Sequence, residues 1–279
     1  MAFRKSTIVR SIFWVLDTAA PPLATRLAER LWCTIPRGTA APATTPGTLV
    51  TIDDRIVAEK WGSGPVIYLV HGWGGRRGQL DSFVAPLVQS GHTVVAFDAP
   101  SHGDSAPGMF GRGRGLLTEF SAALGAVVRH FGPAYGVIAH SLGGAATALA
   151  ILDGLPVERA VFIAAMADPI PYTVEFGQTL GFRERTRIGF LRRLERRIGR
   201  PMSDFDIPAR LGESEDELPP VLVIHDTQDK EVHHRDGAIL AAAWPHAEFV
   251  STTGLGHRRI LRDPEVVSRA IDHVAGVRV

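Results

Sequence analysis

The sequence predicts an α/β fold, a mostly parallel sheet flanked by helices, on three observations. Five runs are apolar without alternation, as strands covered on both faces are: VIYLV at 66–70, TVVAFD at 93–98, YGVIA at 135–139, AVFIAA at 160–165 and VLVIHD at 221–226. Around them lie segments with helical character, Leu80 to Gln89, Leu116 to His130, Leu142 to Asp153 and, later, Asp236 to Ala243. The chain has 279 residues, 45% of them hydrophobic and 21% charged, enough to bury one sizeable core. Strands alternating with helices need crossover connections, and those make neighbouring strands parallel.

At the N-terminus, MAFRKSTIVRSIFWVLD puts basic residues before an apolar patch, but the uninterrupted run from Ile12 to Leu16 is too short for the core of a signal peptide. Ile12, Leu16, Leu23, Leu27 and Leu31 instead predict two amphipathic helices broken at Pro21 and Pro22, with their apolar faces packed on the body. GTAAPATTPGT reads as a linker, so residues 1–47 form a helical extension and linker. LVTIDDRIVAEKW predicts a β-hairpin turning at Asp53 and Asp54. The core is expected over 48–168 and 221–279, interrupted by a helical insertion at 169–220 that lacks any buried strand. In that insertion Ile188, Leu191, Leu194 and Ile198 mark an apolar face and Arg192, Arg193, Arg196 and Arg197 occupy the others, a solvated charged surface or a docking site for an anion.

The balance of charge narrows the function classes. Thirty basic against twenty-nine acidic side chains leave a net charge of +1, with no global field to attract nucleic acid. Cys33 is the single cysteine, which excludes an intramolecular disulfide and any multi-cysteine zinc site and fits a reducing cytoplasm. No stretch approaches the roughly 20 apolar residues of a membrane span, and membrane association is not expected. No cofactor or metal is expected either: the adjacent His233 and His234 point apart in an extended chain, and GRGRG at 111–115 lacks the lysine and hydroxyl of a phosphate loop.

The informative stretch is YGVIAHSLGGAATALA, where a strand run becomes a small-residue helix at Ser141. So tight a turn presses the residues two before and two after the serine together, and both, Ala139 and Gly143, are small. The hydroxyl then projects from the C-terminal edge of the sheet beside a helix N-terminus. A serine needs a base, and His257 in TTGLGHRRILRD lies in a loop able to reach the same edge. Asp229, following the strand VLVIHD, completes the chain order Ser, Asp, His. Asp226 and Asp168 are rival acids. The glycine-rich turn VHGWGG offers the Trp73 amide opposite the Leu142 amide as two donors for a developing oxyanion.

HGWGG, FDAPSHGDS, AHSLGG, HDTQDKEV and GLGHRR, in this order from Val66 to Leu261, resemble the α/β-hydrolase fold serine hydrolases. The resemblance implies an eight-stranded, mostly parallel sheet, a helical cap inserted after the sixth strand, and esterase-like acyl chemistry on a small-molecule acyl substrate. The insertion at 169–220 matches the cap position, and its Phe176, Leu180, Phe182 and Phe190 suggest an apolar acyl pocket. Three residues depart from the usual pattern: Ala139 and Ser101 replace glycines, and His225 stands where many relatives have glycine. His71 is read as an orienting residue and His140 as a core one. Acyl transfer by the same residues, or ligand binding without turnover, are the alternatives. Oligomeric state and substrate are left open.

Overall fold

A computed structural model describes residues 7–36 and 46–276, so most of the expected linker lies outside the described residues. The strands are β1 (Thr48–Ile52), β2 (Ile56–Trp61), β3 (Val66–Val70), β4 (Thr93–Phe97), β5 (Ala134–His140), β6 (Ala160–Ile163), β7 (Val221–Asp226) and β8 (Glu248–Thr252). The helices are α1 (Thr7–Ala19), α2 (Pro21–Trp32), α3 (Val84–Gln89), α4 (Leu117–Phe131), α5 (Leu142–Leu152), α6 (Ile170–Leu180), α7 (Glu184–Ile198), α8 (Ile207–Glu213), α9 (His234–Ala243), α10 (Gly256–Arg259) and α11 (Pro264–Ala275). All eight strands form one sheet in the order β1-β2-β4-β3-β5-β6-β7-β8. β1/β2 and β2/β4 are antiparallel and every later pair is parallel.

The hairpin turns where the two aspartates stand, and both take positive φ, Asp53 at 50° and Asp54 at 53°, a conformation Asp tolerates better than most residues. In the centre of the sheet the apolar runs are covered on both sides: all of β4, β6 and β7 is buried. Because β3, β5 and β7 run in the same direction, the segments after them leave the sheet at one edge. The segment expected to be helical from Leu80 divides into a 3-10 turn over Arg77–Phe83 and the short helix α3. β8, with no fully buried residue, was not among the apolar runs.

The described chain groups into two compact units, one within Met1–Thr34 and Asp168–Asp206, the other within Ile35–Ala167 and Ile207–Val279. This differs from the sequence-based division. The N-terminal helices share a unit with α6 and α7, and α8 belongs with the sheet. Aromatic packing explains the helical unit: Phe13 lies against Phe182 at 5.0 Å and Trp32 against Phe176 at 5.2 Å between ring centroids. Phe176, Leu180, Phe182 and Phe190, expected to shape an acyl pocket, are buried in that unit. Phe176, Phe182 and Phe190 contact one another there.

Polar groups hold the same unit. Asp17 on α1 is fully buried, accepting from the Arg183 amide at 2.8 Å and from the Thr186 hydroxyl. Glu29 on α2 receives Arg193 and, at 2.8 Å, Arg197. Hence the arginine run divides, with Arg192 and Arg196 exposed and Arg193 and Arg197 paired. The buried side of α7 is Thr186, Phe190 and Leu194, while Ile188 is exposed. On α1 and α2 the buried residues include Phe13, Ala24 and Ala28, whereas Ile12 and Leu23 of the expected apolar faces are exposed, as are Ile8 and Trp14. No helix among the described residues is long and apolar enough to cross a membrane.

Candidate active site

The site is built at the turn from β5 into α5. Ser141 takes φ 54° and ψ −122°, a backbone conformation that costs a non-glycine residue about 1–3 kcal/mol and persists only where its surroundings enforce it. Here the Ser141 amide donates to the Ile163 carbonyl at 2.9 Å, and the Ser141 carbonyl accepts from the Gly144 amide at 3.0 Å. Close approach does the rest. A Cβ on Gly143 would run into the His71 carbonyl and stand 2.7 Å from that of Val70, and one on Gly144 would meet the Ala165 Cβ at 2.6 Å. Ala139, which stands where the expected turn pattern has glycine, fits inside β5 fully buried.

Ser141, His257 and Asp229, distant in sequence, lie together. His257, on the short helix α10, has its Nε2 3.0 Å from Ser141 Oγ and its Nδ1 2.7 Å from Asp229 Oδ2. With Nδ1–H donating to the carboxylate, Nε2 carries the free lone pair toward the hydroxyl. Asp229 is fixed in turn by the Glu231 and Val232 amides, which donate to its Oδ1 at 2.8 and 3.0 Å. Burial alone would raise its pKa, but hydrogen bonds from His225 and His257 hold the carboxyl well below the usual range. The rival Asp226 is occupied elsewhere, its Oδ2 accepting from Thr252 Oγ1 and the Leu255 amide. Asp168 accepts from the Ile170 amide at the start of α6.

The two expected oxyanion donors flank the serine in different ways. Leu142 is the first residue of α5, so its amide has no intrahelical acceptor. Trp73 comes after Gly72, where a Cβ would stand 3.0 Å from the Ser141 Cβ, which places the turn after β3 directly against Ser141. Arg77 anchors the far end of this turn: its amide donates to Asp98 Oδ1 at 2.6 Å and its guanidinium pairs with Glu59, Asp98 and Asp104. That ties the end of β3 to the end of β4.

Three buried histidines around this turn were only partly foreseen. His71 contacts the Gly72 carbonyl through Nδ1 at 2.7 Å and accepts from the Ala99 amide through Nε2 at 3.0 Å, an orienting position. His102 contacts the Pro100 carbonyl and accepts from the Gly74 amide at 3.2 Å. Each therefore donates from one nitrogen and accepts at the other, which only a neutral ring can do. Burial lowers their pKa values to about 4 and about 3. His140 is buried beside His257. His225 sits 3.4 Å from Asp229 Oδ2, and neither His102, shortly after β4, nor His225, near the end of β7, had a local signal for these contacts. Ser101 takes φ 64° and bonds across its own loop, accepting from Gly108 and donating to Gly111. Among the described residues no group of His, Cys, Asp and Glu is arranged to hold a metal ion.

The model of the alpha/beta hydrolase family matches residues 67–270, most of the chain. The chain belongs to the alpha/beta hydrolase family. Curated relatives of this family member include the dihydrolipoyllysine-residue acetyltransferase component of the acetoin cleaving system of Cupriavidus necator. That protein is 30% identical over 133 residues, covering 45% of this chain and 32% of the relative. A non-heme haloperoxidase from Rhodococcus erythropolis is 39% identical over 98 residues, 34% of this chain and 35% of its own length. The chain thus spans about a third of the length of the curated relatives it matches. Among solved structures, a monoacylglycerol lipase from Paleococcus ferrophilus aligns with a TM-score of 0.60 at 21% identity, over 79% of this chain and 98% of that one, a likeness of fold.

Proposed function

We propose that this alpha/beta hydrolase cleaves an ester or related acyl bond of a small molecule through an acyl-enzyme. The observation that carries the proposal is the continuous line of short contacts from Ser141 Oγ to His257 Nε2 at 3.0 Å and from His257 Nδ1 to Asp229 at 2.7 Å. In this reading Ser141 Oγ attacks the acyl carbon as its proton passes to His257 Nε2, and Asp229 orients and stabilises the imidazolium. In the same reading the Trp73 and Leu142 amides donate to the oxygen that gains charge. His257 returns the proton to the leaving group, and water, deprotonated by the same nitrogen, releases the acid. The helical insertion after β6 takes the place of a cap in the chain order.

Acyl transfer to an alcohol or amine is a second reading, favoured by the likeness to an acetyltransferase component over 133 residues. A fluorophosphonate probe tests the shared first step: labelling of the protein and its loss in Ser141→Ala are expected, and undiminished labelling of that variant would assign another nucleophile. A panel of esters, thioesters and amides of increasing acyl length, with and without added acceptors, then separates hydrolysis from transfer by its products.

A further inference from the structure

His140 and Gln79 fall outside the three proposed catalytic side chains, yet they stand in a chain of hydrogen bonds that ends on the backbone carbonyl of His257. Gln79 Oε1 is 3.1 Å from the Gly72 amide, Gln79 Nε2 is 3.2 Å from His140 Nδ1, and His140 Nε2 is 2.8 Å from the His257 carbonyl. One fixed point sets every proton in this chain. A backbone N–H is always a donor, so the Gln79 oxygen faces Gly72 and its NH2 faces His140. His140 Nδ1 must then accept, its proton resides on Nε2, and that proton meets a carbonyl that can only accept. A Cβ at Gly75 would collide with Gln79 Oε1, so the glycine there leaves room for the amide.

From this arrangement we propose that Gln79 and His140 are positioning residues: a neutral strut that sets the amide-bearing turn at Gly72–Trp73 and the backbone of His257 in one fixed relation. The proposal rests on the roles proposed for Trp73 and His257, and it adds what holds the two in register although 184 positions separate them in the sequence. Register matters because the oxyanion donors and the base must meet the same tetrahedral centre, where misplacement by about 1 Å costs on the order of a hundredfold in rate. Neutrality matters as well. The His140 ring lies 4.6 Å from that of His257, so a charge on it would oppose the imidazolium that forms during attack. Burial keeps His140 well below the usual histidine range, and the positive form of His257 pushes it the same way.

Two measurements test the strut. In the unaltered protein, side-chain nitrogen–proton correlation spectra should find His140 as the Nε2–H tautomer and uncharged near pH 5; an Nδ1–H tautomer overturns the proposal. In variants, His140→Leu and Gln79→Leu should slow fluorophosphonate labelling and kcat by about ten- to a hundredfold while KM changes by less than about twofold. His140→Gln, whose amide can donate to the His257 carbonyl, should recover most of the loss. The double leucine variant should be no slower than the slower single one, since both break one chain. Folded leucine variants labelled within about twofold of the unaltered rate would sink the idea. Should those variants fail to fold, the tautomer decides alone. Loss of labelling in Ser141→Ala together with unaffected leucine variants would reject the strut and keep the proposed nucleophile. Labelling that persists in Ser141→Ala rejects the nucleophile, and the tautomer still tests the strut.

Discussion

At the scale of single residues, glycine and histidine carry the site as much as the serine does. Ser141 stays at φ 54° because the backbone carbonyls of Val70 and His71 pass directly over Gly143 and leave no room for a relaxed turn. Gly143→Ala forces a methyl group into those carbonyls, which belong to a central strand end and cannot yield cheaply. We expect a loss of about 1–3 kcal/mol in chemical denaturation together with slower probe labelling. An unchanged midpoint and labelling rate would mean that the turn has slack. The need for small residues around Ser141 was legible from AHSLGG, since a sharp strand-to-helix turn demands it whatever surrounds it. Gln79 was not legible: its partners, Gly72 and His140, are brought to it by the order of β3 and β5 in the sheet, and no local spacing encodes that.

Among elements, the strands were readable and the helix faces were not. A strand covered on both sides announces itself by composition alone, which is why VIYLV coincides with β3 and VLVIHD with β7. An amphipathic helix has several candidate faces, and α7 buries Thr186, Phe190 and Leu194, keeping Leu194 of the expected aliphatic face, half-burying Leu191 and Ile198 and leaving Ile188 exposed. The reason lies in α2. Glu29, only 5% exposed at its side chain, can be buried because Arg193 and Arg197 reach it, and their position turns α7 about its axis. Burial raises the Glu29 pKa, but the hydrogen bonds of Arg197 and Arg193 outweigh it and leave the carboxyl below its usual value. Since both arginines are about a third exposed or more, Glu29→Ala should cost a modest ~1–2 kcal/mol, read from the urea midpoint of unfolding, with Glu29→Gln in between.

For the whole molecule, buried neutral histidines predict how stability responds to acid. His71 and His102 have folded pKa values of about 4 and about 3, against 6.5 in the unfolded chain. As pH falls, the unfolded chain takes up protons first, so the stability these two contribute is complete above pH 6.5 and is lost as pH falls from there toward about 4 for His71 and about 3 for His102. Asp229, also depressed, adds its own loss below its unfolded value of 3.8. The melting temperature should therefore stay level from about pH 8 to about pH 7 and decline steadily between 6.5 and 4. A melting temperature that rises across that acid window would show that these rings are not held neutral.

The sequence by itself determined the alternation of strand and helix, the turn at Ser141 and the order Ser, Asp, His, because each depends on what a few neighbouring residues can do. Tertiary structure brought Asp229, the aspartate the sequence favoured over Asp226 and Asp168, to His257, and alone decided which faces of α1 and α7 are buried and that Phe176, Phe182 and Phe190 pack among helices as a core. Those choices are made by partners tens to hundreds of positions away, and only the folded chain sets the distances between them.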